Sequence, residues 1–82
     1  MTLLDTRSAP KRAVVITPDD DNDLTNPVRR LYVGGTGHIT LTTVGGDTVL
    51  ISAIPVGTII DVECKRVADT GTTATLIVGF FD

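Results

Sequence analysis

The stretch Ile59-Ile60-Asp61-Val62-Glu63-Cys64-Lys65-Arg66 decides how this chain is read. Ile60, Val62 and Cys64 alternate with Asp61, Glu63 and Lys65. A period of two is that of a strand with one face in the core and the other in water. Three further β-rich runs surround it, residues 39–44, 48–53 and 73–80, separated by glycine turns. Nowhere do apolar residues repeat at helical spacing with helix formers between them. The pattern predicts an all-β fold, a small antiparallel β-barrel or β-sandwich of about six strands. Its expected core is Leu31, Val33, Ile39, Leu41, Val49, Ile51, Ile60, Val62, Cys64, Leu76 and Val78.

The 82 residues suffice for one domain at most. We divide them into an N-terminal arm, 1–12, and a single β-domain, 13–82. A chain this short hides only about 60–65% of its extended surface when it folds alone, so subunit contacts would help it. Apolar residues make up 41% of the sequence and aromatic ones only 4%, with Tyr32, Phe80 and Phe81 as the whole aromatic supply. The core must therefore be aliphatic, and the Val, Ile and Thr that dominate usage suit strands. Net charge is −3, and residues 32–82 carry five acids against two bases. That balance argues against a broad nucleic-acid surface. A single cysteine, Cys64, excludes an internal disulfide framework, and its apolar register predicts a buried, inert thiol. No apolar run is long enough for a signal peptide or a membrane span, so folding in the cytoplasm is expected.

Ahead of the β-rich region, Ala13-Val14-Val15-Ile16-Thr17 reads as a short edge strand stopped by Pro18. An exposed apolar edge is a liability in a monomer, and exchange with a neighbouring subunit would turn it into an interface. Asp19, Asp21 and Asp23 have the spacing that opens an EF-hand loop. Leu24 and Arg30, however, stand where that loop needs glycine and glutamate. The run reads as a solvated loop of Asx turns, with Arg29 and Arg30 as partners in the same chain or across an interface. Residues 28–33 form the next strand, closed by Gly34-Gly35-Thr36-Gly37, where glycine supplies positive φ. His38 stands alone beside that turn and reads as structural or exposed. Gly45-Gly46-Asp47 makes a hairpin, residues 55–58 a type I or II turn, and residues 68–72 the turn before the last strand. That strand has two apolar faces, Ala74, Leu76, Val78 and Phe80 on one and Ile77 and Phe81 on the other. The second set belongs either under a loop or against a neighbouring subunit. The candidate interface is thus Val14, Ile16, Asp19, Asp21, Asp23, Arg29, Arg30, Ile77 and Phe81.

An enzyme would need a nucleophile with its base, a carboxylate pair in opposed environments, or a metal triad. Serines are Ser8 and Ser52 alone, and His38 is the only near-neutral base. Asp61 and Glu63 point the same way from one strand, but on an open polar face beside Lys65. No catalytic, cofactor-binding or metal-ligating residue is assigned. A carbohydrate-binding β-module is a competing reading, limited by the shortage of aromatic platforms.

Four runs taken together resemble the spike base protein family of alphaproteobacterial gene transfer agents and related tailed phages. They are Leu31-Tyr32-Val33-Gly34-Gly35-Thr36-Gly37, Gly45-Gly46-Asp47-Thr48-Val49, Val56-Gly57-Thr58-Ile59-Ile60, and Arg66-Val67-Ala68-Asp69-Thr70-Gly71-Thr72-Thr73-Ala74. Val15-Ile16-Thr17-Pro18-Asp19 and Asp23-Leu24 extend the likeness upstream, so that it spans roughly residues 13–81. His38 and Cys64 depart from the family's pattern. The resemblance implies a non-enzymatic virion component that forms an oligomeric base, with five-fold symmetry favoured, on the capsid vertex and anchors a head spike or fibre. Implied partners are the major capsid protein and the spike or fibre protein, with no cofactor, membrane or direct nucleic-acid contact. Small β-proteins of similar texture also serve as capsid cement or tail adaptors.

Overall fold

A computed structural model describes residues 9–82. Its strands are β1 (Arg12–Val15), β2 (Arg30–Gly35), β3 (Gly37–Thr43), β4 (Thr48–Ile54), β5 (Thr58–Ile60), β6 (Cys64–Ala68) and β7 (Thr75–Phe81). They form two antiparallel sheets, a four-stranded one ordered β1-β7-β2-β5 and a three-stranded one ordered β4-β3-β6. Neither sheet closes on itself, so the fold is a sandwich and not a barrel. Residues 1–8 of the expected arm lie outside the described residues. The last two residues of the arm are already paired: Lys11 N–H donates to the Phe81 carbonyl at 3.1 Å, and Arg12 opens β1.

The stretch that reads as one long strand is two. Ile60 ends β5 in the first sheet, Cys64 begins β6 in the second, and residues 61–63 carry the chain across. The alternation survives the crossing because either sheet turns its apolar side to the same core. Ile60 and Val62 are only partly buried against that core, whereas Cys64 is fully enclosed. Burial pushes the Cys64 thiol up to about 11, which leaves it protonated and unreactive at neutral pH.

Leu31, Val33, Ile39, Leu41 and Cys64 occupy the core as expected, joined by Ile16, Val28, Ile54, Val67, Ala74 and Ile77. Ile51 packs against the core from its margin. Three expected members are outside it: Val49 is 44% exposed, Leu76 74%, and Val78 is turned away from the core on the outer face of its sheet. The last strand therefore faces the opposite way, with Ile77 and Gly79 inward and Leu76, Val78 and Phe80 outward. Gly79 explains the inversion. A Cβ there would lie 2.6 Å from Val28 Cγ1 and 3.0 Å from Ile16 Cδ1, so other segments fill the space that β7 leaves empty.

One glycine turn also differs from expectation. Gly34 and Gly35 belong to β2, and Thr36 alone makes the corner between the sheets, its hydroxyl donating to the Ile54 carbonyl at 2.7 Å. Positive φ is found at Gly37, as expected of the cluster, and at Gly57, whose value of 86° at the third position of the residue 55–58 turn is the type II pattern. The Gly45-Gly46-Asp47 hairpin joins β3 to β4 as expected.

The aspartate run has a definite mechanical task. Its backbone follows the outer edge of β6, where Asp19 N–H donates to Val67 O at 2.8 Å and Leu24 N–H to Lys65 O at 2.7 Å. Val28 and Cys64 exchange both backbone hydrogen bonds further along. Asp19 Oδ1 accepts the Asp21 N–H at 2.9 Å, an Asx turn, while its Oδ2 accepts from Asn22 Nδ2 at 3.1 Å. Asp20 takes the Thr70 N–H at 2.8 Å and the Thr70 hydroxyl at 2.6 Å. Asp23 Oδ1 meets Arg66 Nη2 at 2.7 Å and Nε at 2.8 Å. The loop thus covers a sheet edge that would otherwise offer unpaired backbone groups.

These bonds favour the ionised carboxylates. The Asn22 side chain and then the Asp21 amide hold Asp19 below the ordinary aspartate value of 3.8. The Thr70 hydroxyl and amide do the same for Asp20. A folded-state pKa below the unfolded one adds stability above the unfolded value, and that stability is lost as pH falls through the folded one. We therefore expect the loop to stay docked at mild acidity and to release only below the ordinary aspartate range. The Thr70 amide resonance, followed by NMR through an acid titration, should show this low midpoint and lose it in Asp20→Ala. A midpoint at the ordinary aspartate value would refute the clamp.

Candidate docking surface

The two sheets differ on their outward faces. The three-stranded sheet shows Thr40, Thr42, Thr48, Arg66 and Ala68 around Leu50, with Thr42 and Thr48 hydroxyls 3.0 Å apart across β3 and β4. The four-stranded sheet shows a row that crosses all of its strands: Val15 opposite Val78, Val78 opposite Tyr32, and Tyr32 opposite Ile59. Val15 is 74% exposed, Ile59 50% and Tyr32 37%. Phe80 and Leu76 extend the row along β7 in both directions. Beyond it, Arg30 and Asp61 close one side with an ion pair at 3.1 Å. A contiguous apolar face with a charged border is the anatomy of a contact surface.

Leu76 is the most unusual residue on this face. Its φ of 54° is in the left-handed region, which costs an L-residue roughly 1–2 kcal/mol. Gly34 lies across from it: a Cβ at Gly34 would come within 2.7 Å of the Leu76 carbonyl oxygen and 2.8 Å of its Cβ. The missing side chain on β2 lets the leucine stand outward from the sheet.

Between β1 and the aspartate loop lies a groove of about 260 Å³. Val14, Val15, Ile16, Leu24 and Phe81 give it an apolar lining, and Asp19, Asn22 and Thr25 add polar groups.

The residues expected at an interface are dispersed by the fold. Ile16 and Ile77 are 5% and 2% exposed and belong to the core. Val14 and Phe81 line the groove together with Asp19 and Asp23, and Asp21 is exposed on the loop. Arg29 and Arg30 do not reach that loop within the chain: Arg29 pairs with Asp82 at 3.0 Å and Arg30 with Asp61. Within the chain that role is filled by Arg66. Val15, Ile59 and Leu76 are exposed on the apolar face without having been among the residues expected at an interface. The available signal was the apolar character of both faces of the last strand, which shows that one must be external without telling which.

His38 is structural. Its Nδ1 accepts the N–H of Ala53 at 2.9 Å, supporting a second left-handed residue with φ 55°. Among the described residues no group of three His, Cys, Asp or Glu side chains is arranged to hold a metal ion. No helix among them is long and apolar enough to cross a membrane.

This arrangement defines a small β-sandwich whose distinguishing feature is an exposed apolar sheet face. A solved structure described as the capsid of a native GTA particle, computed with C5 symmetry, contains a chain with the same fold. The TM-score is 0.80 and the identity 40%, over 89% of this chain and 84% of that one. The chain belongs to the family of that GTA capsid-particle protein, in agreement with the spike base resemblance. No family model matches it, and no curated protein does.

Proposed function

We propose that this protein is a non-enzymatic structural component of a phage-like particle, placed on the capsid surface as the oligomeric base of a head spike or fibre. The likeness to a chain of a GTA capsid computed with C5 symmetry carries this reading. A five-fold axis passes through each vertex of an icosahedral shell, so five copies in a ring would match the site. The exposed apolar face of the four-stranded sheet supports it, because a free monomer gains nothing from keeping such a surface wet. The major capsid protein on one side and a spike or fibre protein on the other are the partners this position requires. Assembly would take place in the cytoplasm of the bacterial host.

Cryo-electron microscopy of particles from the source cell tests the placement. Density for this chain around the five-fold axes, beneath a projecting fibre, is the expected result. A three-fold or six-fold location would instead favour capsid cement or a tail adaptor. Absence from purified particles would refute the virion role altogether.

A further inference from the structure

We propose that the four-stranded sheet continues from copy to copy, β5 of each chain pairing antiparallel with β1 of its neighbour. This inference rests on the ring reading above and specifies its contact. A cyclic assembly of more than two copies needs two different, mutually complementary patches on each chain. The order β1-β7-β2-β5 sets β1 and β5 at opposite edges of one sheet, about 14 Å apart at the usual strand spacing. Both edges leave backbone groups unpaired. Ile16 N–H donates to the Ile77 carbonyl, so Val14 and Arg12 also face β7, while Ala13 and Val15 turn their N–H and C=O away. Gly57 N–H donates to the Val33 carbonyl, so Val33 and Leu31 face β5 and bond Thr58 and Ile60, and Ile59 points its backbone groups outward. Among the described residues no other backbone bond takes up these groups.

Direction and charge select a second copy as the occupant. β1 and β2 are both antiparallel to β7, and β5 is antiparallel to β2, so β5 runs opposite to β1. Rotation about an axis along the strands preserves their direction, and therefore brings a neighbour's β1 antiparallel to β5. In that junction the start of one strand meets the end of the other. Lys11 and Arg12 stand at the start of β1, Asp61 and Glu63 just after β5, and all four are exposed. Lys11, Arg12 and Glu63 have no ion pair among the described residues. Two bases thus come beside two acids. The register that sets Ile59 opposite Val15 also sets Ile60 opposite Val14, apolar against apolar on both faces. Val14 is on the inner side of its sheet yet 43% exposed, where it lines the groove of about 260 Å³. An added strand covers that opening, and the outer row from Val15 to Ile59 runs on into the next copy.

The decisive variants are Val15→Pro and Ile59→Pro, because each removes an N–H that faces away from its own sheet. Either should weaken self-association at least about tenfold, read by light scattering after size exclusion. The Tm of the diluted monomer should stay within a few degrees of wild type. Mixing the two variants restores one intact junction per pair, so heterodimers should form and stop there. Charge supplies a second test that leaves the backbone alone. Lys11→Glu and Glu63→Lys should each weaken association about threefold, and combined in one chain they should restore it. In the wild type, hydrogen exchange at the Val15 and Ile59 amides should slow as the chain is concentrated.

Weakened association in only one proline variant would overturn the junction, since it would mean β1 meets β1, β5 meets β5, or another protein. So would an unchanged oligomer in both, a mixture that forms closed rings, or a charge exchange that restores nothing. A wild-type chain that stays monomeric at high concentration, with both amides exchanging freely, would also overturn it. Detection of the chain at five-fold axes of purified particles would still uphold the virion role in each case, so the two readings fail separately.

Discussion

Leu31→Ala is expected to cost about 2–5 kcal/mol, the range for a large buried side chain whose site cannot collapse. Leu31 has no exposed surface and sits on the inner side of β2, with Gly79 and Ile60 as its cross-strand partners. Strands held on both sides leave the cavity little freedom to close. A domain of this size has a total stability of roughly 4–12 kcal/mol, so the variant should lie near the limit of folding at ambient temperature. Urea unfolding at fixed protein concentration measures it, and the midpoint should fall while the slope with denaturant stays constant. A loss below about 1 kcal/mol would place Leu31 outside the packed centre.

Gly79→Ala should be nearly as damaging, although it adds a single methyl group. β7 is paired on both sides, to β1 and to β2, so its backbone cannot move away. The new Cβ would approach Val28 Cγ1 at 2.6 Å and Ile16 Cδ1 at 3.0 Å. Overpacking of this kind typically costs about 1–3 kcal/mol. The cause can be isolated with Val28→Ala, which destabilises on its own by removing buried methyl groups. Combined with Gly79→Ala it should be less harmful than the sum of the two single changes, with a coupling of about 1 kcal/mol or more. Additive losses would exclude the steric conflict.

The clamp of the aspartate loop and the apolar sheet face serve the same end by different means. A small sandwich has open edges and a thin core, and both invite unwanted association. Here the edge of β6 is covered by residues 19–28, with Asp20 on Thr70 and Asp23 on Arg66. The face with Val15, Tyr32, Ile59 and Val78 is left apolar. Covering one place and leaving another open would, on the ring reading proposed above, direct association to the uncovered surface.

The amino-acid sequence by itself determined the class of the fold and most of its strands. Alternation at 39–44 and 48–53, the glycines at 45 and 46, and the scarcity of aromatic residues specify an aliphatic β-protein with a hairpin. These are local properties, set by the side-chain period of a strand and the freedom of glycine. The run of glycine motifs also carried the family resemblance. What remained undetermined was every choice between two equivalent faces. Leu76 and Ile77 are equally apolar, and only the tertiary structure turned Ile77 inward, because Val28 and Ile16 fill the gap over Gly79. Likewise, the alternation through Ile60, Val62 and Cys64 is the same whether the chain stays in one sheet or crosses to the other. The pairing of Ile60 with Leu31, and of Cys64 with Thr43, decided that it crosses. Arg29, Arg30 and Arg66 are interchangeable as partners for an aspartate until the fold sets distances, and Arg66 alone is brought to Asp23. Period and composition are written along the chain, whereas facing and partnership depend on which distant segment arrives to fill the space.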